Sequence, residues 1–344
     1  MPPLAATPPA GGAAPATTRE PVELAFLIVP QFSMLGFSAA LEPLRSANRL
    51  SGRTLYRWRL VSLDGQAVPA SNGISIAVHG TLDAIDRPDM LVVCVGLDPL
   101  QCAGNRRLEH RLRYLARHGA RVGAISGGSF VLADAGLLAD RACTVHWEYR
   151  ELFAERYPRL KLTQDLYVVD REVFTCSGGT AALDMMLHFV REQYGLELAL
   201  AVAEQFLHPG IREHGGHQRM ELRDRYGLHD PKLIEVIRLM QASVEAPLYV
   251  QAIAARAGLS PRHVERLFRQ HIGEAPAAFY LRLRLEHGQK LLLHTAQAIL
   301  EVALACGFGS RSHFDHAYKR HFGRTPAAER RPRRPGAPRG RLPA

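Results

Sequence analysis

The stretch VGAISGGSF, Val122–Phe130, runs from an apolar strand through one small polar residue, Ser126, into a glycine pair that opens a helix. A strand, a lone serine and glycines at a helix start is how α/β hydrolases display a nucleophile. On either side of it, short apolar runs alternate with longer amphipathic ones. VELAFLIVP (22–30) and DMLVVCVGL (89–97) read as buried strands, LYRWRLVSL (55–63) as an alternating one, and LYVVDREVFTC (166–176) as a hairpin-like pair. GFSAALEPLRSANRL (36–50), RRLEHRLRYLARHG (106–119) and GGTAALDMMLHFVREQYG (178–195) have helical spacing, and Gly119 and Gly195 close the last two. Strands alternating with helices predict an α/β, mainly parallel, doubly wound sheet. Ligands of such sheets bind beyond the carboxyl ends of the strands, where Ser126 falls.

The chain has 344 residues, enough for two or three domains, and a formal net charge of +10. That charge is unevenly placed: residues 231–344 carry 19 Lys and Arg against 8 Asp and Glu, whereas residues 1–230 carry 24 against 25. A neutral module joined to a basic one suggests that the second meets a polyanion, although a basic solvated surface would look the same. Five scattered cysteines, with no CxxC pair, suit a reducing cytosol and suggest neither a disulfide framework nor a zinc site. Residues 1–20 are Pro- and Ala-rich without a cationic start or a leucine-rich run, so they read as a disordered leader. No apolar run approaches the roughly 20 residues that span a bilayer. The expectation is a cytoplasmic, nucleoid-associated protein with no membrane partner, no metal and no cofactor.

Residues 208–230, HPGIREHGGHQRMELRDRYGLHD, are polar and non-periodic and read as a linker. Their histidines His208, His214 and His217 could suggest a metal, but no acidic or cysteine partner stands at ligand spacing, and a solvated loop is the plainer account.

Beyond the linker, IAARAGLSPRHVERLFRQHIGEAP (253–276) and VALACGFGSRSHFDHAYKRHFGRTP (302–326) form an internal repeat. Ala254 and Gly258 match Ala303 and Gly307 at a spacing of 49, and Val264, Phe268, Gly273 and Pro276 match Phe314, Tyr318, Gly323 and Pro326 at a spacing of 50. Each copy reads as a short helix with a small inward residue, a glycine turn, a serine N-cap (Ser260, Ser310) and a second amphipathic helix that stops at glycine. That is a helix-turn-helix, whose second helix reads the DNA major groove. Between the copies, PAAFYLRLRLEHGQKLLLHT (276–295) is helical. Its roughly 19 residues span about 28 Å, close to the roughly 34 Å of one duplex turn. A rod of that length can set two reading helices in successive major grooves of double-stranded DNA. The tail RRPRRPGAPRGRLPA (330–344) has six Arg and no acid, and reads as a disordered basic extension that either adds nonspecific attraction or does nothing measurable.

Residues 231–329 resemble the AraC/XylS family of transcriptional regulators, through GLSPRHVERLFRQHIG, LLLHT and GFGSRSHFDHAYKRHFGRTP. The resemblance implies an all-α domain with two helix-turn-helix motifs, in which Arg262, Glu265 and Arg266 of the first reading helix point at bases. Arg311, Ser312, Asp315 and His316 are the corresponding residues of the second. Arginine can bond guanine bidentately, and a carboxylate can accept from cytosine N4. Arg269, Lys319, Arg320 and the spacer's Arg282 and Arg284 are expected to meet phosphates; for any one of these residues an ordinary solvated helix face is the alternative.

Residues 21–207 resemble the ThiJ/PfpI, class I glutamine-amidotransferase-like domain, a flavodoxin-like α/β fold. FSMLGFSAALEPLRSANRLSG, WRLVSLDG, ASNG, AGLLADRACTVHWE and TCSGGTAALDMML carry the match. Fused to an AraC-type domain, this suggests a GlxA-type regulator. In enzymes of that superfamily the elbow residue is cysteine, with a histidine about 20 residues on and a carboxylate in the first loop. Here the elbow holds Ser126, His146 follows, and the first loop PQFSMLGFS has no carboxylate. A serine needs a base within reach and an orienter for that base; Glu148 or Asp165 could serve, but the chain is expected not to be an enzyme. The expectation is instead a ligand pocket formed by Ser126, Gly127, His146, Trp147 and Glu148. Backbone N–H groups at the elbow would suit a carboxylate, and the Trp147 ring with Glu148 a cationic head. Resemblance to regulators that sense betaine, carnitine or amino-acid-like amines points to a small zwitterionic effector. The plainer alternative makes Trp147 a core residue and His146 a satisfied buried histidine. The resulting expectation is a ligand-responsive, dimeric transcriptional activator; the rival is an amidohydrolase or glyoxalase-like enzyme using Ser126 and His146, with a DNA-binding appendage.

Overall fold

The computed structural model describes residues 20–330 except 214, 217, 219–225, 229 and 296, and excepting the side chain of His294. Apart from Glu20 and Arg330, the expected leader and basic tail lie outside the described residues.

The first half is built on strands β1 (Val22–Ile28), β2 (Tyr56–Ser62), β5 (Gly80–Thr81), β6 (Met90–Val95), β7 (Arg121–Ser126), β10 (Tyr167–Asp170) and β11 (Val173–Cys176). They form a seven-stranded sheet in the order β10-β11-β7-β6-β1-β2-β5. Every pairing is parallel except that of β10 with β11, so the expected doubly wound sheet ends in the expected hairpin. Two short pairs, β3 (Val68–Pro69) with β4 (Ser75–Ile76) and β8 (Ala142–Cys143) with β9 (Lys161–Leu162), lie outside it.

Alternation along β1 decides the layers. Leu24, Phe26 and Ile28 point to one face, where they pack with residues of α1 (Met34–Ser51), α5 (Ala181–Tyr194) and α6 (Leu196–Gln205). Ala25, Leu27 and Val29 point to the other, toward α2 (Arg106–Arg117), α3 (Gly128–Asp134) and α4 (Arg150–Arg156). A strand buried on both faces reads as a continuous apolar run, which is why VELAFLIVP shows no polar alternation. Phe26 and Leu27 are wholly buried, and each such side chain contributes about 1.5–3 kcal/mol. Trp58 packs half-buried against the first of these cores, a packing residue as expected.

The second half is helical: α7 (Pro231–Ala242), α8 (Val250–Arg256), α9 (Pro261–His271), α10 (Pro276–His294), α11 (Ile299–Ala305), α12 (Arg311–Phe322) and α13 (Pro326–Arg330). It has two small cores strung on one helix. Phe279, Tyr280 and Leu283 of α10 close the first, with Val264, Leu267 and Phe268 of α9 and residues of α7 and α8. Leu285, Leu291 and Leu292 close the second, with Val302 and Ala303 of α11 and Phe314 and Tyr318 of α12. The spacer is thus a rigid axle carrying both motifs. Ala254 and Ala303 are fully buried, as a small residue at a helix crossing must be. In the second turn Gly307 has φ 69°, and a Cβ there would lie 2.2 Å from Pro247 Cγ. Only glycine satisfies both the left-handed backbone and the close approach.

Candidate functional site

The reading helices present the expected faces. Ser260 Oγ accepts from His263 N at 3.2 Å and Ser310 Oγ from His313 N at 3.3 Å, which fixes the start of each helix. Hydrophobic residues of α9 and α12 go inward, leaving Arg262, Glu265, Arg266 and Arg269 exposed on one helix and Arg311, Ser312, His316 and Lys319 on the other. Asp315 is half-buried because Arg311 Nε lies 3.4 Å from its Oδ2, one turn away. Arg266 Nη2 sits 2.9 Å from His263 Nε2. Both pairs hold an arginine in a defined direction.

Two expected phosphate contacts are overturned. Arg282 is taken up by Glu274, with Nη2 at 2.6 Å, and by Glu286, with Nη1 at 3.0 Å. Arg284 donates from Nε to Cys306 O and from Nη2 to Gly307 O, both at 2.8 Å, and its guanidinium lies 4.4 Å from the Phe308 ring. It caps the carboxyl end of α11 and so locks the second turn to the spacer; burial lowers its pKa. Both are basic residues on a helix that looks solvated in sequence, but neighbouring elements consume their donors.

The strand-to-helix elbow forms where β7 ends. Ser126 has φ 58° and is 6% exposed. A non-glycine residue held in the left-handed region marks a strained position. Gly178, at φ 95°, lies against it, and a Cβ there would be 2.9 Å from Ser126 Cβ. The first loop brings Gln31, also left-handed at φ 63°, to the same edge of the sheet. Helix α3 after the elbow has seven residues, so its dipole is a short one and lends the elbow little attraction for an anion.

The His146–Glu148 stretch is positioned by a polar thread beneath it. Ser129 Oγ donates to Thr144 O at 2.7 Å, Thr144 N donates to Thr175 Oγ1 at 2.9 Å, and Thr144 Oγ1 donates to Asp165 O at 2.8 Å. Residues Trp147–Tyr149 then make one 3-10 turn. Tyr149 ties that turn to the end of β6 by donating its hydroxyl proton to Gly96 O at 3.0 Å. His146 Nδ1 accepts weakly from Glu148 N at 3.4 Å and lies 3.7 Å from Glu148 Oε2. Glu148 thus places a carboxylate beside the imidazole, whereas Asp165 engages the thread through its backbone. Among the described residues no hydrogen bond joins Ser126 Oγ to His146. Trp147 is half-buried, not core, and the Lys290 ammonium lies 4.8 Å from its ring centroid.

The linker is less free than its composition suggests. His208 is not a solvated loop residue: its Nε2 lies 2.8 Å from Oδ1 of Asp184, a carboxylate that is wholly buried on α5. Arg212 N, Nε and Nη2 donate to the same carboxylate. Gln218 Nε2 donates to Thr144 Oγ1, Val145 O and Asp165 O at 2.9–3.1 Å, plugging the linker into the thread under His146. His214 and His217 lie outside the described residues. Sequence reading missed Asp184, Arg212, Gln218, Tyr149 and Lys290 as parts of this region. An aspartate on an otherwise apolar helix face was the one available signal, and it pointed at no partner.

Comparison with known proteins agrees with both halves. The DJ-1/PfpI family model matches residues 23–192, and a helix-turn-helix domain model matches 253–332. The chain is 40% identical to the HTH-type transcriptional regulator GbdR of Pseudomonas aeruginosa, over 94% of this chain and 88% of the relative. It is 43% identical to the regulator CdhR of the same organism, over 89% and 90%. Identity to the regulator GlxA of Rhizobium meliloti is 38%, over 93% and 98%. A crystal structure of an AraC family transcriptional regulator from Pseudomonas putida superposes with a TM-score of 0.51 at 31% identity, covering 54% of this chain and 100% of that one.

Proposed function

The chain belongs to the HTH-type transcriptional regulators that include GlxA and GbdR, and we propose that it regulates transcription in answer to a small cationic or zwitterionic metabolite seated at Trp147. DNA binding comes with the family. The effector reading is carried by one observation: the half-buried Trp147 ring already accommodates an ammonium group at 4.8 Å, the geometry by which aromatic faces recognise choline-like ligands. Ser126, Gly127, His146 and Glu148 are assigned to the same pocket, on the shared carboxyl edge of the sheet.

In this reading the protein is an activator, acts in the cytoplasm at the nucleoid, and pairs with a second copy through the α/β half. The exposed Leu196 and Leu200 on α6 support the last point. Ligand shifts the balance between two arrangements of the DNA-binding halves by preferring one of them. The test is a thermal-shift screen of the full chain against betaines, carnitine, amino acids and simple amines. A ligand at about 100 times its Kd should add about 2.7 kcal/mol of stability. The effect should vanish in Trp147→Ala. No shift from any of them refutes the assignment.

The strained φ of Ser126 favours a second reading, an amidohydrolase or glyoxalase-like enzyme using Ser126 and His146, with a DNA-binding appendage. Turnover of small amides or glyoxals by the wild type that disappears in Ser126→Ala would establish it.

A further inference from the structure

Helix α10 belongs to the DNA-binding half, yet its last turns lie on the sensor half, packed against the Trp147–Tyr149 turn and α4. Two polar contacts face each other there. The Lys290 ammonium sits over the Trp147 ring at 4.8 Å, and three residues earlier His287 Nδ1 lies 3.5 Å from Glu151 Oε1. The dock is loosely packed. Cavities of about 690 Å³ and about 300 Å³ open beside it, and Glu151 and His287 line both. Leu285 and Leu292, on the far side of α10, are sealed into the second helical core, and Leu283 and Leu291, which border the two cavities, are buried in the first and second core respectively. The DNA-binding half can therefore leave the sensor without losing its own packing, and a polar, cavity-flanked contact between domains is the kind that separates.

We propose that Lys290 is an internal occupant of the effector's cation seat: its ammonium and the effector's cationic head compete for the face of Trp147, so that binding unlatches α10 from the sensor. The proposal rests on the reading that Trp147 receives the effector, and it narrows the ligand to a class. A lysine ammonium is compact and strongly hydrated. A quaternary ammonium carries the same charge with a weaker hold on water, so it gives up less hydration on the indole and displaces the lysine. A primary amine has no such advantage. The signal passes from ligand to DNA-binding half through one shared ring, without a change in the elbow.

Hydrogen exchange on the full-length protein tests this, with tetramethylammonium chloride as the probe and sodium chloride at equal concentration as the control. In the wild type, tetramethylammonium should raise exchange across residues 145–151 and 283–294 by about threefold or more, and sodium should not. Lys290→Ala should start at the raised rates and ignore the probe. Lys290→Arg, whose guanidinium also stacks on indole, should stay docked. Equal effects of the two salts, or wild-type rates in Lys290→Ala, overturn the latch. Glycine betaine should bind Lys290→Ala about fivefold or more tighter than the wild type, a coupling of ordinary size; equal or weaker binding refutes competition while leaving the effector reading intact. If tetramethylammonium releases the helix but betaines, carnitine and amino acids give no thermal shift, the latch stands and the metabolite reading falls.

Discussion

Arg212 Nη2 lies 2.6 Å from Oδ2 of the wholly buried Asp184, across 28 residues of chain. The pair fastens the start of the linker to α5, and with it the path by which the DNA-binding half leaves the sensor. Removing one member of a buried pair typically costs about 3–5 kcal/mol. Since the Arg212 side chain is 43% exposed, and His208 and the Arg212 amide still serve the carboxylate, Arg212→Ala should cost about 2–3 kcal/mol. Arg212→Lys should fall between, keeping charge but losing the forked contact. Urea unfolding of the full chain checks both; an unchanged midpoint for Arg212→Ala would show that the linker is not anchored here.

Gly178→Ala should damage the elbow from behind. The new Cβ would meet Ser126 Cβ at 2.9 Å on a backbone with φ 95°. Left-handed strain and overpacking together cost about 1–3 kcal/mol or more. The expected outcome is a lower melting temperature and weakened effector binding, with DNA affinity in the absence of effector unchanged. Thermal melts followed by circular dichroism, without and with effector, and a promoter-fragment binding assay measure the three.

The basic residues should separate into three classes on DNA. Arg266→Ala and Arg311→Ala should each cost about 1–3 kcal/mol on the cognate site and far less on random sequence. Arg269→Ala and Lys319→Ala should weaken both nearly equally and reduce the salt slope by about one unit each. Arg282→Gln should leave the salt slope unchanged, because its donors are committed to Glu274 and Glu286. Binding titrations across salt concentrations distinguish these classes, and a loss of slope in Arg282→Gln would contradict the internal assignment.

The buried thiols set an alkaline limit. Burial pushes Cys143 up to about 11 and Cys176 up to about 12, from an ordinary value of 9.0. Both are almost wholly protonated in either state below about pH 8, where they make no appreciable pH-dependent contribution. Between about pH 9 and 12 the unfolded chain releases these protons first, so stability should fall as pH rises through that window. The same burial should keep all five cysteines slow toward iodoacetamide at pH 8 until denaturant is added. Fast labelling of the native protein at Cys143 or Cys176 would contradict it.

Much of this molecule was legible in its sequence. The two-faced apolar run of β1, the glycine-terminated helices, the strand-to-helix turn at Ser126 and the repeated serine caps at Ser260 and Ser310 are local patterns, set by side-chain period and backbone preference within a few residues. The same rules put the reading-helix charges on the solvent side, because Val264, Phe268, Phe314 and Tyr318 fix which side is inward.

Tertiary structure alone decided which polar side chains are spent inside the molecule. Arg282 and Arg269 look alike as basic helix residues, yet one is held by two glutamates and the other is free to meet DNA. Asp184 found His208 and Arg212, Gln218 found Thr144, and Lys290 found Trp147, each across a stretch of chain that no periodicity spans. A long charged side chain has many partners within its reach, and the choice among them depends on how elements distant in sequence pack together. Burial of apolar residues follows from pattern, but pairing of polar ones follows from position in space.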